Sequence, residues 1–294
     1  MLEVAAINKH YGARQVLTDV NFTIGDGRMT GFVGANGSGK TTTMRIILGV
    51  LAADSGQVLL DGIPLTAEVR RRFGYMPEER GLYPKMRVQE QLVYLARLHG
   101  VPPKAAADNA DALLERLGLT ERARDLVESL SLGNQQRAQI AAALVHDPEF
   151  LVLDEPFSGL DPIAVETVLG VLRDYAAGGA PVLFSSHQLD LVERLCDDLV
   201  IIADGSIRAA GPSQLLRDEH STPRFELHAN SDVGWLRQVS GVNVLEFDGS
   251  WAQFEAESES VSQAVLREAL ERGSVTSFGR DRPSLATIFK EVIQ

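Results

Sequence analysis

The chain is poor in cysteine, in long apolar runs and in positive charge. Its single cysteine, Cys196, excludes an internal disulfide and suits a reducing compartment. No apolar run approaches the roughly 20 residues needed to cross a bilayer, so any membrane role is expected to come through a separate chain. The stretch from Met1 to Gly12 carries Glu3, Asn8, Lys9 and His10 and lacks the apolar core of a signal peptide. Against 40 Asp and Glu stand only 28 Lys and Arg, a net charge of -12, which argues against nucleic acid as the main partner. What is present is ample apolar material: 294 residues with 45% hydrophobic content are enough for one large globular domain or two of ordinary size.

The stretch Gly34-Ala-Asn-Gly-Ser-Gly-Lys-Thr41 has the spacing G-x-x-x-x-G-K-[ST] of a phosphate-binding loop. It stands between a short apolar strand, Met29 to Val33, and a helical pattern from Thr41 to Leu48. Gly34, Gly37 and Gly39 let the backbone turn tightly and aim N–H groups at phosphate oxygens, with Asn36 and Ser38 between them. The helix behind the loop adds partial positive charge. Lys40 supplies a full charge for the β- and γ-phosphates, and the Thr41 hydroxyl, followed by Thr42, is placed to ligate Mg²⁺.

Ahead of that loop, Leu2, Val4 and Ala6, then Val16, Val20, Phe22 and Ile24, alternate with polar residues and predict two strands of a partly exposed antiparallel layer. Tyr11, on a Tyr-Gly turn, suits either stacking on a base or plain packing. After it, residues 56–62 read as a further strand, and Phe73 to Met76 as a short apolar run that stops at Pro77. From Val88 to Val145 the pattern is helical, with Leu92, Leu95, Ala96 and Leu98, then Leu113, Leu114 and Leu117, as its apolar positions. This insertion ends in Leu130-Ser-Leu-Gly-Asn-Gln-Gln-Arg137, a small-residue loop feeding a helix, which favours a second anion contact.

Residues 150–156 form an apolar strand tipped by two acids, which serve as a helix cap or as a cation contact. Following a phosphate loop by about 110 residues, they point to Asp154 as a Mg²⁺ contact. Glu155, next along, is expected to face the opposite side and to orient or deprotonate a water. A turn at 158–162 enters a helix bearing Val165, Val168, Leu169 and Leu172. Residues 181–185 form the next strand, with His187 just past its end in a structural or a functional role.

In this order the segments resemble the nucleotide-binding subunit of an ATP-binding cassette (ABC) transporter, over residues 2 to about 215. Gly34 to Thr42 is similar to Walker A, Leu151 to Glu155 to Walker B, Ser158 to Asp161 to the D-loop and His187 to the switch histidine. Residues 131–135 take the place of the family's signature sequence, with Leu132 for its first glycine and Asn134 for its glutamine. The resemblance implies ATP and Mg²⁺ as cofactors, Tyr11 as the base-stacking aromatic, Glu155 as the residue that activates water and His187 as the γ-phosphate sensor. Ser131 and Gly133 would cap the γ-phosphate held by a second copy, making a homodimer on ATP binding. Where the family places a metal-ligating glutamine, Glu78 stands here, and Arg80 or Mg²⁺ would have to offset the charge it adds. The run 77–84 resembles subunits that serve type-2 exporters, implying a separate transmembrane permease as partner and a cytoplasmic position against the membrane.

The fold expected is α/β: a P-loop NTPase of the ABC ATPase type over residues 1–215, with an antiparallel β subdomain and a helical insertion at about 84–145. Residues 220–294 are expected to form a small α+β domain. Their pattern predicts strands at 225–229, 242–247, 251–256 and 275–278, a short helix at 233–239, another at 261–270 and a closing helix at 284–293. That order suggests a ferredoxin-like module. Two other functions compete with this reading: a regulatory ATPase acting on a cytosolic partner, and a small-molecule kinase, which Ser131 to Gln135 and His187 weaken.

Overall fold

The computed structural model describes residues 1–79, 81–219, 224–280 and 287, so Arg80 and nearly all of the expected closing helix lie outside the described residues. The chain divides into two compact units, Met1–Ser213 and Gln214–Glu291, each treated separately below.

The first unit begins with a hairpin, β1 (Leu2–Tyr11) and β2 (Arg14–Ile24), followed by β3 (Met29–Val33) and α1 (Lys40–Ile47). Next come β4 (Ser55–Leu60), β5 (Ile63–Pro64), a single turn α2 (Ala67–Arg70) and β6 (Phe73–Met76). The helical insertion comprises α3 (Val88–Leu98), α4 (Pro103–Arg116) and α5 (Leu132–Leu144). After it the chain alternates: β7 (Phe150–Leu153), α6 (Pro162–Ala177), β8 (Val182–Ser186), α7 (Leu189–Leu195), β9 (Asp198–Ala203) and β10 (Ser206–Pro212).

Two sheets result. One is antiparallel, in the order β2-β1-β4-β5, and the other runs β10-β9-β3-β8-β7-β6, parallel except at its β10 edge. The apolar faces of both share a core that includes Leu2, Ile7, Phe22, Phe32, Met44, Phe150 and Ile202. In the parallel sheet β3 lies between β8 and β9, with Val33 opposite Ser186, while Leu153 of β7 pairs with Phe184 of β8. The carboxyl ends of β3, β7 and β8 therefore meet at one edge, the usual place for a ligand in such a sheet.

Two sequence expectations need correction in this unit. Simple alternation fails in the hairpin because both strands bulge: Ala6 (φ 51°) and Asp19 (φ 45°) take left-handed backbone, so Ile7 and Leu17 are core residues while Ala6 is exposed. Two asparagines supply the hydrogen bonds that the bulges remove from the ladder, Asn21 Oδ1 accepting the Ala6 N–H at 2.7 Å and Asn8 Oδ1 the Asp19 N–H at 3.0 Å. In α3, Leu98 is 63% exposed, because the buried face of the helix is set by Val88, Leu92 and Ala96. The edge pair β9 and β10 carried no distinctive motif and was not anticipated.

The second unit opens with α8 (Ser213–Glu219), which straddles the boundary, and then runs β11 (Arg224–Ala229), β12 (Val242–Asp248), β13 (Trp251–Ala256), α9 (Glu259–Arg272) and β14 (Val275–Arg280). The helix expected at 233–239 is a five-residue 3₁₀ turn, Gly234–Gln238. The four strands form one antiparallel sheet in the order β12-β13-β11-β14. Leu227, Phe254, Val265 and Ala269 are buried where α9 covers the sheet, and Phe254 stands beside Phe225 and Phe278.

Candidate functional site

The loop between β3 and α1 has little room for side chains. A Cβ at Gly34 would come within 2.5 Å of the Ile202 carbonyl oxygen, and Gly39 combines φ +111° with a neighbour, Leu17 Cδ2, at 2.6 Å. Glycine at those two positions lets the backbone pass close to β9 and β2 before entering the helix. Ser38 is buried, and its hydroxyl has no partner among the described residues. Lys40 is 7% exposed and donates from Nζ to the carbonyl oxygens of Gly34 (2.7 Å) and Ala35 (3.2 Å). Burial pushes its ammonium below the usual lysine range, while Glu155, Asp154 and Glu78 pull it back up.

The acids arrive from β7. The strand ends at Leu153, and Glu155 turns back in the left-handed region at φ +53°, a conformation that costs a non-glycine residue about 1–2 kcal/mol. This overturns the expectation that Glu155 faces away from Asp154: strand alternation ends before it applies, and both residues line the same cavity of about 440 Å³. Asn36, Gly37, Gly39, Lys40, Thr41, Thr42 and Glu78 line it too. Asp154 accepts from Thr41 Oγ1 at 2.8 Å and from Ser185 Oγ at 2.5 Å. The same Ser185 oxygen accepts the Glu155 N–H at 2.9 Å. His187 Nδ1 lies 2.9 Å from Glu155 Oε2, so the two residues given separate roles from sequence form one pair here.

The oxygen donors suit a hard divalent cation. Thr41 Oγ1 and Asp154 Oδ2 already touch, and Glu78 lines the same cavity. Among the described residues no group of three or more His, Cys, Asp and Glu forms a ready-made cage. That combination fits Mg²⁺, which keeps water and phosphate oxygens as its remaining ligands, better than it fits zinc.

Two groups of expected residues stand apart from this cavity. Tyr11 lies at the tip of the β1–β2 hairpin, 51% exposed, and the cavity wall on that side is formed by Arg14 and Val16 instead. Ser131 caps α5, its hydroxyl accepting the Asn134 N–H at 3.4 Å, and it is exposed. Gly133, two residues on, approaches Gly159 and Leu160, and neither Ser131 nor Gly133 lines the cavity. Sequence reasoning missed Ser185, Gln136, Arg14 and Val16. For Ser185 the signal was its place at the end of the strand beside the acidic one; for the others there was none.

This geometry has close relatives. A family profile described as ABC transporter matches residues 17–158, and one described as ATP-binding protein DrrA1-3-like, C-terminal domain, matches residues 211–293. Over 293 residues the chain is 36% identical to YhaQ of Bacillus subtilis, an uncharacterized ABC transporter ATP-binding protein, covering 100% of this chain and 98% of YhaQ. This chain belongs to the ABC transporter ATP-binding proteins. Another member, the linearmycin resistance ATP-binding protein LnrL of the same organism, is 36% identical over 214 residues, 72% of this chain and 69% of LnrL. A solved ATP-binding subunit of an ABC transporter superposes with a TM-score of 0.69 at 33% identity, covering 74% of this chain and 92% of that one. As an ABC ATPase the chain binds ATP and hydrolyses it in support of transport. Among the described residues, no helix of this ABC protein is long and apolar enough to cross a membrane.

Proposed function

We propose that this chain powers a type-2 ABC exporter by closing on a second copy of itself around ATP and Mg²⁺, with a separate transmembrane permease as its partner. One observation carries the proposal: Lys40, Thr41, Asp154 and Glu155 share a cavity, whereas Ser131 and Gly133 do not line it. A second copy, turned head to tail, brings the Ser131 hydroxyl and the Gly133 amide to the γ-phosphate. Neither copy is then complete alone. The match of residues 211–293 to the DrrA1-3-like domain, and the likeness to a protein named for linearmycin resistance, support the exporter reading.

In this reading Tyr11 stacks on the base, and the loop with Gly34, Asn36, Gly37, Ser38, Gly39, Lys40, Thr41 and Thr42 holds the phosphates. Thr41 and Asp154 hold Mg²⁺ with Glu78 beside them; the ion, when bound, neutralises charge on the β- and γ-phosphate oxygens. Glu155 orients and deprotonates the attacking water, and His187 senses the γ-phosphate. Hydrolysis removes the contacts between the copies, and their separation passes through Glu78 to Tyr83 and the helical insertion to the permease. The protein works at the cytoplasmic face of the membrane, held there by that partner. Residues 1–215 suffice for this cycle, and residues 220–294 form an accessory domain.

The test is ATP-dependent dimerisation of Glu155→Gln against wild type, by size-exclusion chromatography with light scattering. The variant is expected to bind ATP, to hydrolyse it at least about tenfold more slowly, roughly 1.4 kcal/mol on the barrier, and to accumulate as dimer. A monomer turning over at full rate would remove both the dimer and the role of Glu155.

A further inference from the structure

We infer that Gln136 is a positioning residue that sets Glu155 for hydrolysis; the inference rests on Glu155 being the carboxylate that activates water. Gln136 stands on α5, five residues after Ser131, and is only 8% exposed. Its Nε2 donates to two backbone carbonyl oxygens, those of Glu155 and Pro156, each at 3.0 Å. Both amide protons are used in this way.

The turn that Gln136 grips is one the chain would not hold unaided, because the left-handed backbone of Glu155 crowds its own side chain. Each of its polar groups has a partner from a different place: the N–H meets Ser185 at the end of β8, the carboxylate meets His187 beyond it, and the carbonyl meets Gln136 from the helical insertion. Without the amide the Pro156 carbonyl oxygen loses its donor and the Glu155 carbonyl keeps only the Ser158 N–H at 3.2 Å, so the turn at 155–156 is less firmly held. The carboxylate would then leave the cavity wall. Nothing in that change touches the loop that holds the phosphates, so ATP binding should survive it.

A double-substitution cycle on the full chain, read by steady-state phosphate release and by ATP binding, tests this. Gln136→Met keeps length and volume but removes the donor. It is expected to lower kcat about tenfold or more while KM and ATP affinity stay within about twofold. Added to Glu155→Gln, it should lower the residual rate by less than about twofold, since a residue that acts through Glu155 has nothing left to position. Gln136→Asn, with an amide one methylene too short to reach the turn, should behave alike and serves if the Met variant fails to fold. Full kcat in the Gln136 variants, a parallel loss of ATP binding, or losses that multiply with Glu155→Gln would overturn the inference. A slow Glu155→Gln beside a full-rate Gln136→Met overturns it alone, whereas an unimpaired Glu155→Gln overturns the role of Glu155 as well.

Discussion

In the unit Met1–Ser213, Lys40, Gln136, Gln139, Asp154, Glu155 and Ser185 are buried among apolar side chains; in the unit Gln214–Glu291, Ser262 is the one buried polar residue among those described. The first interior is built around charge. The Lys40 ammonium, pushed down by burial, is pulled back up by Glu155, Asp154 and Glu78, and glutamines tie one loop to the next: Gln139 donates to the carbonyls of Pro77 and Glu79 on either side of Glu78. The second interior is an ordinary apolar contact of a sheet with a helix, centred on Phe254. Burial of unpaired charge is costly, so a fold accumulates such groups where chemistry uses them. The contrast supports the proposal that the catalytic work lies in the first unit and that the second is an accessory domain.

The largest expected effect is in the second unit. Phe254→Ala removes a fully buried ring from its core and should cost about 3–5 kcal/mol there. Trp235 and Trp251 are the protein's two tryptophans and both lie in this unit, so their fluorescence in a urea titration reports its unfolding. Nucleotide affinity should stay unchanged; its loss would break the division between the units.

A smaller effect belongs to the first unit. Its His146 ring stacks on His99 with centroids 3.7 Å apart and faces the Phe73 carbonyl oxygen through Nε2 at 3.2 Å. Burial, and then His99, lower its pKa to about 4. The unfolded chain therefore takes up the proton first, and this stability, complete above about pH 6.5, is lost as pH falls toward 4. The shift corresponds to at most about 3 kcal/mol, reduced by solvent screening because the ring is only partly buried. Circular dichroism of urea unfolding at pH 7 and 4.5 should show a shallower acid dependence for His146→Gln than for wild type. Equal slopes would dismiss His146 as a source of the dependence.

The smallest effect expected is none. Removing residues 220–294 should leave ATP affinity within about twofold of the full chain, measured by equilibrium titration. A large loss in protein that remains folded would show that the accessory region reaches the nucleotide.

Much of the site was legible because the phosphate loop is a local object. Its glycines, Lys40 and Thr41 act within one strand-loop-helix segment, so their spacing alone carries the geometry. The apolar run before Asp154 and the strand before His187 were legible for the same reason. The register of the hairpin was not, since two bulges shift it and the asparagines that stabilise them sit on opposite strands. Nor was the direction of Glu155: periodicity describes a strand and says nothing about the first residue beyond its end.

Sequence by itself determined which groups are available: a loop for phosphates, an acidic pair, a histidine, a serine at a helix start and a separate apolar module. Only tertiary structure decided their company. The parallel order of β3, β8 and β7 brings Thr41 to Asp154, 113 residues away, and the packing of α5 brings Gln136 to the carbonyl of Glu155. Such pairings depend on which strand lies beside which and on a helix laid across the sheet, and local periodicity does not encode that.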